Sequence, residues 1–369
     1  MRLSIPHMGN VYIPFKALFQ RLDVDFVVPP ATSQRTLSLA VRYSPEGLCI
    51  PFKLTLGNLI EAAELGADTM LMPAGNGICR LGYYAQTQEK ILKELGYDIE
   101  MVRLGISEQK LLGLLKTIKR LSNDAPWRKI ISAFRFGLAK LNALDKIERL
   151  VQKARPVELE KGTANQLYAQ AIKAIDQAED YRALKKVQAD YSEQLNRITN
   201  DPLVQPLGVN SRAEPLVVGI IGEFYVVLEP FSNFDIESEL GKLGVEVRRT
   251  TFISEWTKFS LFLNPLGINE KAKLHQAALP YLKRDIGGEG WESVGEKVLH
   301  ANGYDGLIHL APFTCIPEIV AQNIMPHTRE DIPVLTILCD EHSSKTGILT
   351  RLEAFVDLLK RRRRVSNGV

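Results

Sequence analysis

Three of the four cysteines in this chain stand where a strand is expected to give way to a helix. Cys49 and Cys315 open the same tripeptide, Cys-Ile-Pro, near opposite ends of the sequence, and Cys79 lies in the glycine-rich loop 74–80. Proline is tolerated in a first helical turn, where an N–H has no intrahelical partner. The dipole of a helix lowers the pKa of a thiol at its start and favours thiolate, the form that binds metals. The three thiols are therefore candidates for one ligand site.

The cysteine spacing alone leaves other interpretations open. The chain has no Cys-x-x-Cys pair, so the usual local spacings of zinc and ferredoxin sites are absent. Free cysteine is often buried, and four in a chain of this length are compatible with the core. The fourth, Cys339, ends an apolar run just before Asp340-Glu341-His342. Burial is the favoured interpretation for Cys339, and a role as a fourth ligand is the alternative.

Short apolar runs alternate with helical patterns in residues 1–105 and again in residues 215–369. The predicted strands cover residues 25–28, 69–72, 99–102, 216–222, 245–247, 306–310 and 334–338. The predicted helices beside them cover residues 51–65, 80–95 and 347–360. Strands separated by helices form parallel sheets covered by helices on their faces. The predicted fold is α/β, with two Rossmann-like, doubly wound lobes.

Residues 106–200 have almost no strand signal and are rich in Leu, Ala, Lys, Gln and Glu. Apolar residues such as Leu167, Ala171 and Ile175 recur there at helical spacing, which predicts long packed helices. Residues 201–214 contain Pro, Gly, Asn and Ser and are predicted to be a linker. The helical segment is expected to be a core insertion; a cover over the site and a dimer interface are the alternatives.

Three polar side chains follow predicted strands or open helices and are candidate catalytic residues. Glu223 ends the first strand of the second lobe, and His342 follows its last strand. Ligands of open parallel sheets bind beyond the carboxyl ends of the strands. Glu318 follows Cys-Ile-Pro, where helix capping is the alternative to acid–base catalysis. For Glu223 the alternative is plain solvation, and for His342 a hydrogen-bonded structural histidine.

Other residues near the cysteines are candidates for contact with whatever the thiols bind. Lys53 and Arg80 supply positive charge that offsets the charge of a thiolate-bound group. Tyr83 and Tyr84 carry hydroxyl groups, and one of them is expected in the core. Asn76 and its flanking glycines allow the backbone to approach a ligand closely.

Composition limits the class of protein. The 369 residues are 45% hydrophobic and 24% charged, as in ordinary globular proteins, with a net charge of +3. That charge is too small to argue for nucleic acid, and the run Arg361–Arg364 is typical of a solvated helix end. Residues 1–6 lack an apolar signal core, and no stretch approaches about 20 apolar residues. We expect a cytoplasmic protein with reduced thiols, no membrane contact and no nucleic acid.

Five motifs together resemble the 2-hydroxyacyl-CoA dehydratase superfamily, and more closely its branch of double-cubane-cluster-type and acyl-CoA dehydratase activase-related proteins. The motifs are Cys49–Gly57 with Glu61, Gly77–Tyr84, Pro312–Glu318, Asp340-Glu341-His342 and Thr350–Phe355. The resemblance implies a [4Fe-4S] cluster between the lobes, bound by Cys49, Cys79 and Cys315, with one iron open. It also implies an ATP-hydrolysing activase partner of the sugar kinase/Hsp70/actin type, which supplies electrons at low potential.

On this resemblance the chain is expected to be an oxygen-sensitive reductase or dehydratase component that acts on a small molecule. It is expected to form a homodimer or a heterodimer with a related subunit. A double-cubane cluster needs about six cysteines, so it would have to be shared between two chains; one simple cubane per chain is favoured. The alternatives are a non-enzymatic cluster carrier or activase partner, and a structural zinc protein that uses the same cysteines and Cys339.

Overall fold

The computed structural model describes residues 1–73, 79–104, 106–200, 215–258 and 271–366. Two four-stranded parallel sheets organise this part of the chain, one in each predicted lobe. Both sheets have the same winding. The first strand pairs with the second on one side and with the third on the other, and the fourth strand lies beyond the third. The predicted α/β fold with two doubly wound lobes is confirmed.

The first lobe contains one strand that the sequence did not reveal. Its elements are β1 (Arg2–Ser4), α1 (Tyr12–Arg21), β2 (Asp25–Val27), α2 (Gln34–Tyr43), α3 (Ile50–Glu64), β3 (Thr69–Pro73), α4 (Leu81–Glu94) and β4 (Glu100–Leu104). β1 was missed because only Leu3 is apolar within its three residues. It nevertheless lies between β2 and β3, because the buried Leu3 belongs to the core of this lobe.

The middle of the described chain is helical, as predicted. Its elements are α5 (Ile106–Leu121), α6 (Trp127–Ala154), α7 (Thr163–Gln177) and α8 (Tyr181–Thr199). The predicted apolar stripe is the core of this segment: Ala171 and Ile175 of α7 are fully buried against α6 and α8. Ile13 and Ala17 of α1 join the same core, so the helical segment packs on the first lobe.

The second lobe repeats the winding of the first with more helices. Its elements are β5 (Leu216–Gly222), α9 (Phe224–Leu228), α10 (Pro230–Asn233), α11 (Ile236–Lys242), β6 (Val245–Arg249), α12 (Ile253–Lys258), α13 (Ala272–Ala278), α14 (Gly290–His300), β7 (Gly306–Pro312), α15 (Ile316–Ile324), β8 (Val334–Cys339) and α16 (Lys345–Ser366). A single 3-10 turn, Met325–His327, follows α15. All seven residues of β7 are buried, as expected for a central parallel strand.

Helix α3 belongs to the cores of both lobes. The sequence suggested one apolar face, but 14 of its 15 residues are buried. Ile50 and Leu54 pack with strands of the second lobe, whereas Phe52 and Leu56 pack within the first. Gly57 permits this crowding, because a Cβ there would lie 2.3 Å from the Thr36 carbonyl oxygen. A helix that is apolar on all sides must be covered on all sides, and here the two lobes cover it.

Two further points concern the chain as a whole. The shared core around α3 joins the two lobes. The boundaries at residues 105, 200 and 214 therefore stay a prediction of where separately folding units begin and end. No helix in the described part of the chain is both long and apolar enough to cross a membrane.

Candidate functional site

Cys49, Cys79 and Cys315 line one small cavity. The cavity has a volume of about 20 Å³, enough for about one water molecule. The other lining residues are Pro51, Arg80, Tyr84, Glu223, Pro312, Ile316 and Pro317. The structure therefore brings together three thiols that are 30 and 236 residues apart in the sequence.

Each thiol is placed by the start of a helix. Cys49 is the N-cap residue of α3, Cys315 is the N-cap residue of α15, and Cys79 lies two residues before α4. Cys79 and Cys315 occupy equivalent places in the two lobes, since each follows the third strand of its sheet, and both strands end in proline. The cavity thus lies where parallel sheets present ligands, beyond the carboxyl ends of strands.

Arg80 connects the three loops that carry the cysteines. It follows Cys79 directly, and its Nη1 donates to the carbonyl oxygen of Gly47, 2.6 Å away. Its Nη2 donates to both the carbonyl oxygen and the Oγ1 of Thr314, the latter at 2.8 Å. Gly47 lies just upstream of Cys49, and Thr314 immediately precedes Cys315. Thr314 has a left-handed backbone, with φ of 67°, which the bonds from Arg80 help to hold.

The tyrosine that contacts a cysteine is Tyr84. Its hydroxyl lies 2.8 Å from the Sγ of Cys49, and its ring packs edge-on against Phe52. Tyr83, in contrast, has 68% of its surface exposed. Helical periodicity separates the two, because adjacent residues on α4 point about 100° apart.

The expectation of lowered thiol pKa values is wrong for the protein without a bound metal. Burial raises the pKa of all three thiols, of Cys315 well above its ordinary value. Burial outweighs the hydrogen bonds that lower these pKa values, and the Glu223 carboxylate is a smaller cause that raises them. Desolvation disfavours a charged thiolate more than a helix start favours it. The thiols are therefore protonated unless a cation takes the place of their protons.

Glu223 lies at the cavity because of the glycine before it. Gly222 has φ of 127°, and a Cβ there would lie 2.0 Å from the Leu310 carbonyl oxygen. The Glu223 carboxylate accepts a hydrogen bond from the Val226 N–H at 2.9 Å, at the start of α9. Burial raises the pKa of Glu223 to about 8. Near neutral pH this carboxyl group can therefore carry a proton beside the thiols.

Glu318 is fully buried and does not cap α15. Its Oε2 lies 2.7 Å from Nε2 of His309 and accepts a hydrogen bond from the Ser293 hydroxyl at 2.9 Å. His309 lies within β7 and is fully buried. The Glu318 backbone N–H also donates to the Cys315 thiol. Glu318 thus contacts Cys315 through its backbone and does not line the cavity.

The lining of the cavity does not include Lys53, His342 or Cys339. Lys53 is buried and forms an ion pair with Glu341 that joins the two lobes. His342 is exposed. Cys339 is buried in the apolar core of the second lobe. Asn76 lies outside the described residues.

Sequence reasoning did not single out Gly47 or Thr314, whose carbonyl groups receive the Arg80 side chain. Neither residue has a side chain whose chemistry would indicate this role. The one available signal is that both lie just before the two Cys-Ile-Pro motifs. Among the described residues, no three His, Cys, Asp or Glu side chains are close enough together to hold a single metal ion.

One family model matches the chain. It covers residues 5–253, about two thirds of the sequence, and so contains Cys49, Cys79 and Glu223 but not Cys315. No curated protein matches significantly. The family is described as a CoA enzyme activase uncharacterised domain, which agrees with the activase-related side of the resemblance seen in the motifs. On the extent of this match, the chain belongs to the CoA enzyme activase uncharacterised domain family (DUF2229).

Proposed function

We propose that Cys49, Cys79 and Cys315 hold a [4Fe-4S] cluster between the two lobes. The observation that carries this proposal is the convergence of the three thiols, from distant parts of the chain, on one cavity. A bound cluster of this kind accepts and passes on single electrons. The proposed role is that of an electron-receiving component in a CoA enzyme activase system, related to the 2-hydroxyacyl-CoA dehydratases.

The donor set fits such a cluster. All three candidate ligands are thiols, which iron–sulfur clusters and other soft centres prefer. The cavity holds about one water molecule, so loading requires the cysteine loops to move apart.

The neighbouring residues support the proposal by their chemistry. The Arg80 guanidinium offsets the negative charge of thiolate ligands and hydrogen-bonds the loops before Cys49 and Cys315. The Tyr84 hydroxyl can donate to the sulfur of Cys49. Glu223, with its pKa raised to about 8 by burial, can supply or accept a proton beside the site.

Large apolar side chains stand exposed next to the cavity and support docking of a partner there. Ile316 lines the cavity and is 49% exposed, and Phe313, two residues before Cys315, is 56% exposed. Tyr83, on the first turn of α4, is exposed as well. Exposed apolar groups around a site are typical of interaction surfaces. The proposed partner is an ATP-hydrolysing activase, or a second, related subunit.

Anaerobic purification with iron, sulfide and zinc analysis tests the cluster. We expect about four iron atoms per chain and a broad absorbance near 400 nm, as is typical of thiolate-bound clusters. Cys49→Ser, Cys79→Ser and Cys315→Ser should each lose most of the iron. Cys339→Ser is the matched control, because Cys339 is buried like Cys49 and Cys315 but packs in the core of the second lobe and does not line the cavity, and it should retain iron.

Stoichiometric zinc without iron would refute the cluster, and iron retained in all three site variants would refute the ligand assignment. A second assay separates enzyme from carrier. The anaerobic protein is mixed with an ATP-dependent activase and candidate 2-hydroxyacyl-CoA substrates. Reduction of the cluster with turnover supports a reductase or dehydratase component, whereas reduction without turnover supports a carrier.

A further inference from the structure

A second and much larger cavity lies beside the cysteine site. Its volume is about 680 Å³, within the range of small-molecule binding sites. It opens past the carboxyl ends of β5 and β6, where Gly222 and Thr250 line it, and α6 and α14 form its sides. Gly222 separates it from the cysteine cavity, which begins at Glu223.

The two sides of this cavity carry opposite charge. The side built by α6, β6 and α12 has four cations against two carboxylates: Arg149, Lys153, Arg248 and Arg249 against Glu246 and Glu255. The side built by α13 and α14 has three carboxylates against one cation: Glu289, Glu292 and Glu296 against Lys271. The charges balance overall but are segregated, so the field runs across the cavity.

Ion pairs within each side use up part of this charge. Arg248 pairs with Glu246 at 2.8 Å, and Lys271 pairs with Glu292 at 2.8 Å. Arg249 forms ion pairs with two carboxylates of the protein. The remaining positive charge that faces the cavity is therefore carried chiefly by Lys153, which is exposed.

The negative side holds an unsatisfied acceptor. Glu296 lines the cavity and is only 7% exposed, and one of its oxygens accepts a hydrogen bond from the Thr250 hydroxyl. Its other oxygen, Oε2, has no hydrogen-bond partner among the described residues. On the opposite side, the Nε of Arg249 likewise has no hydrogen-bond partner among the described residues. Buried polar atoms without partners are uncommon and costly, and a bound ligand is one way of satisfying them.

Aromatic rings form the apolar part of the lining. Phe252 is buried beneath the Arg149 guanidinium, 3.7 Å from its ring centroid, and Tyr304 lines the cavity with one face stacked on His300. The guanidinium groups of Arg149 and Arg249 both lie over the Phe252 ring. A ligand with an apolar middle would therefore contact chiefly Tyr304 while its polar ends reach the charged sides.

We propose that this cavity binds a zwitterionic, amino-acid-like ligand, whose ammonium group faces Glu296 on α14 and whose carboxylate faces Lys153. The inference does not depend on a cluster at the cysteines. It rests on the segregated charge, the unsatisfied Glu296 oxygen and the aromatic lining.

Isothermal titration calorimetry on the full chain tests the ligand class. One series compares 4-(aminomethyl)phenylacetate with 4-methylbenzylamine, which lacks the carboxylate, and 4-methylphenylacetate, which lacks the ammonium group. A second series compares 6-aminohexanoate with hexylamine and hexanoate. In at least one series the zwitterion should bind about tenfold more tightly than either partner, because each lost end removes a charge-assisted hydrogen bond.

Two variants and a matched control locate the site. Glu296→Gln and Lys153→Ala should each weaken the zwitterion about tenfold, and Lys153→Ala should leave the affinity for the amine unchanged. Lys146→Ala is the control, since Lys146 is also exposed on α6 but does not line the cavity. The inference is overturned if single-charge analogues bind as tightly as the zwitterions, if no zwitterion binds at millimolar concentration, or if Lys146→Ala weakens binding as much as Lys153→Ala.

Discussion

The two cavities on either side of Gly222 differ in how their walls are made. The cysteine cavity is formed by loops at helix starts and is held by hydrogen bonds from one arginine to backbone carbonyls. The charged cavity is formed by side chains on regular helices and strands, and it is more than thirty times larger. A small cavity suits a group that stays bound, whereas a large one suits a ligand that exchanges. Four substitutions test whether the two cavities are as separate as this comparison implies.

Gly222→Ala is expected to have the largest effect, because Gly222 lines the charged cavity and directly precedes Glu223 of the cysteine cavity. A Cβ 2.0 Å from the Leu310 carbonyl oxygen, on a backbone with φ of 127°, should cost about 4 kcal/mol of unfolding free energy. Urea denaturation measures the loss. Gly47→Ala is the control, because a Cβ at Gly47 meets nothing within 4 Å. A Gly222→Ala protein of normal stability would contradict the close approach of β5 and β7.

Glu296→Gln removes a carboxyl group from the charged cavity, and its effect on the stability of the protein should depend on pH. Burial, the largest cause, raises the pKa of Glu296 to about 7 from an ordinary value of 4.5. The folded protein therefore holds a proton that the unfolded chain releases, and this carboxyl group lowers stability as pH rises from about 4.5 to about 7. Over that window the stability of the variant relative to the wild type should rise by up to about 3 kcal/mol.

Thermal or urea denaturation from pH 4.5 to 8 measures this change. Glu94→Gln, at an exposed position of α4, should alter stability by less than about 0.5 kcal/mol throughout. A flat difference between the Glu296→Gln variant and the wild type would contradict the burial of a proton-binding carboxyl group.

Arg80→Ala should disrupt the cysteine cavity and leave the charged one intact. Loss of the charge-assisted bonds to Gly47 and Thr314 should lower stability by about 2 kcal/mol, since the side chain is only partly buried. Iron content after anaerobic purification should fall by more than half, with zwitterion binding unchanged. Lys90→Ala, at an exposed position of the same helix, is the control. Equal loss of both ligands would mean that the cavities act as one site.

Tyr84→Phe should have the smallest effect. It removes the hydroxyl at 2.8 Å from the Cys49 sulfur and keeps the ring packed on Phe52. We expect a loss of about 1 kcal/mol in stability and a shift in the reduction potential of any bound cluster, because hydrogen bonds to sulfur tune that potential. Tyr83→Phe is the matched control and should change neither quantity. Identical results for the two variants would argue against the Tyr84 contact.

Fold class was predictable from the sequence because parallel strands buried on both faces are continuous apolar runs. β5 and β7 are of this kind, and both were predicted. β1 was not predicted, because its place in the sheet depends on pairing with β2 and β3 and not on its own composition. The burial of α3 on all sides was not predicted for a related reason, since a second lobe covers the side that a single lobe would leave exposed.

The convergence of the three cysteines was predictable from the sequence, whereas the pKa values and contacts of their side chains were less so. The Cys-Ile-Pro repeat and the strand ends located the three thiols, and the structure places them at one cavity. Their raised pKa values were not predictable, because desolvation depends on tertiary packing that the local sequence does not encode. The choice between Tyr83 and Tyr84 depended on the rotation of α4 about its axis. The backbone bonds of Arg80 depended on the meeting of loops from both lobes.

The burial of α3 has a kinetic consequence for access to the thiols. Separating the lobes would pull at least Ile50 and Leu54 out of the second core, at a cost of roughly 3–6 kcal/mol. Fewer than about one molecule in a hundred would then be open at any moment. In the proposed role, Cys49, fixed at the start of this helix, would be the stationary ligand, and entry of iron or oxygen would need local opening near Cys79 and Cys315. The rate of cluster assembly, and of its damage in air, would then depend on that local opening.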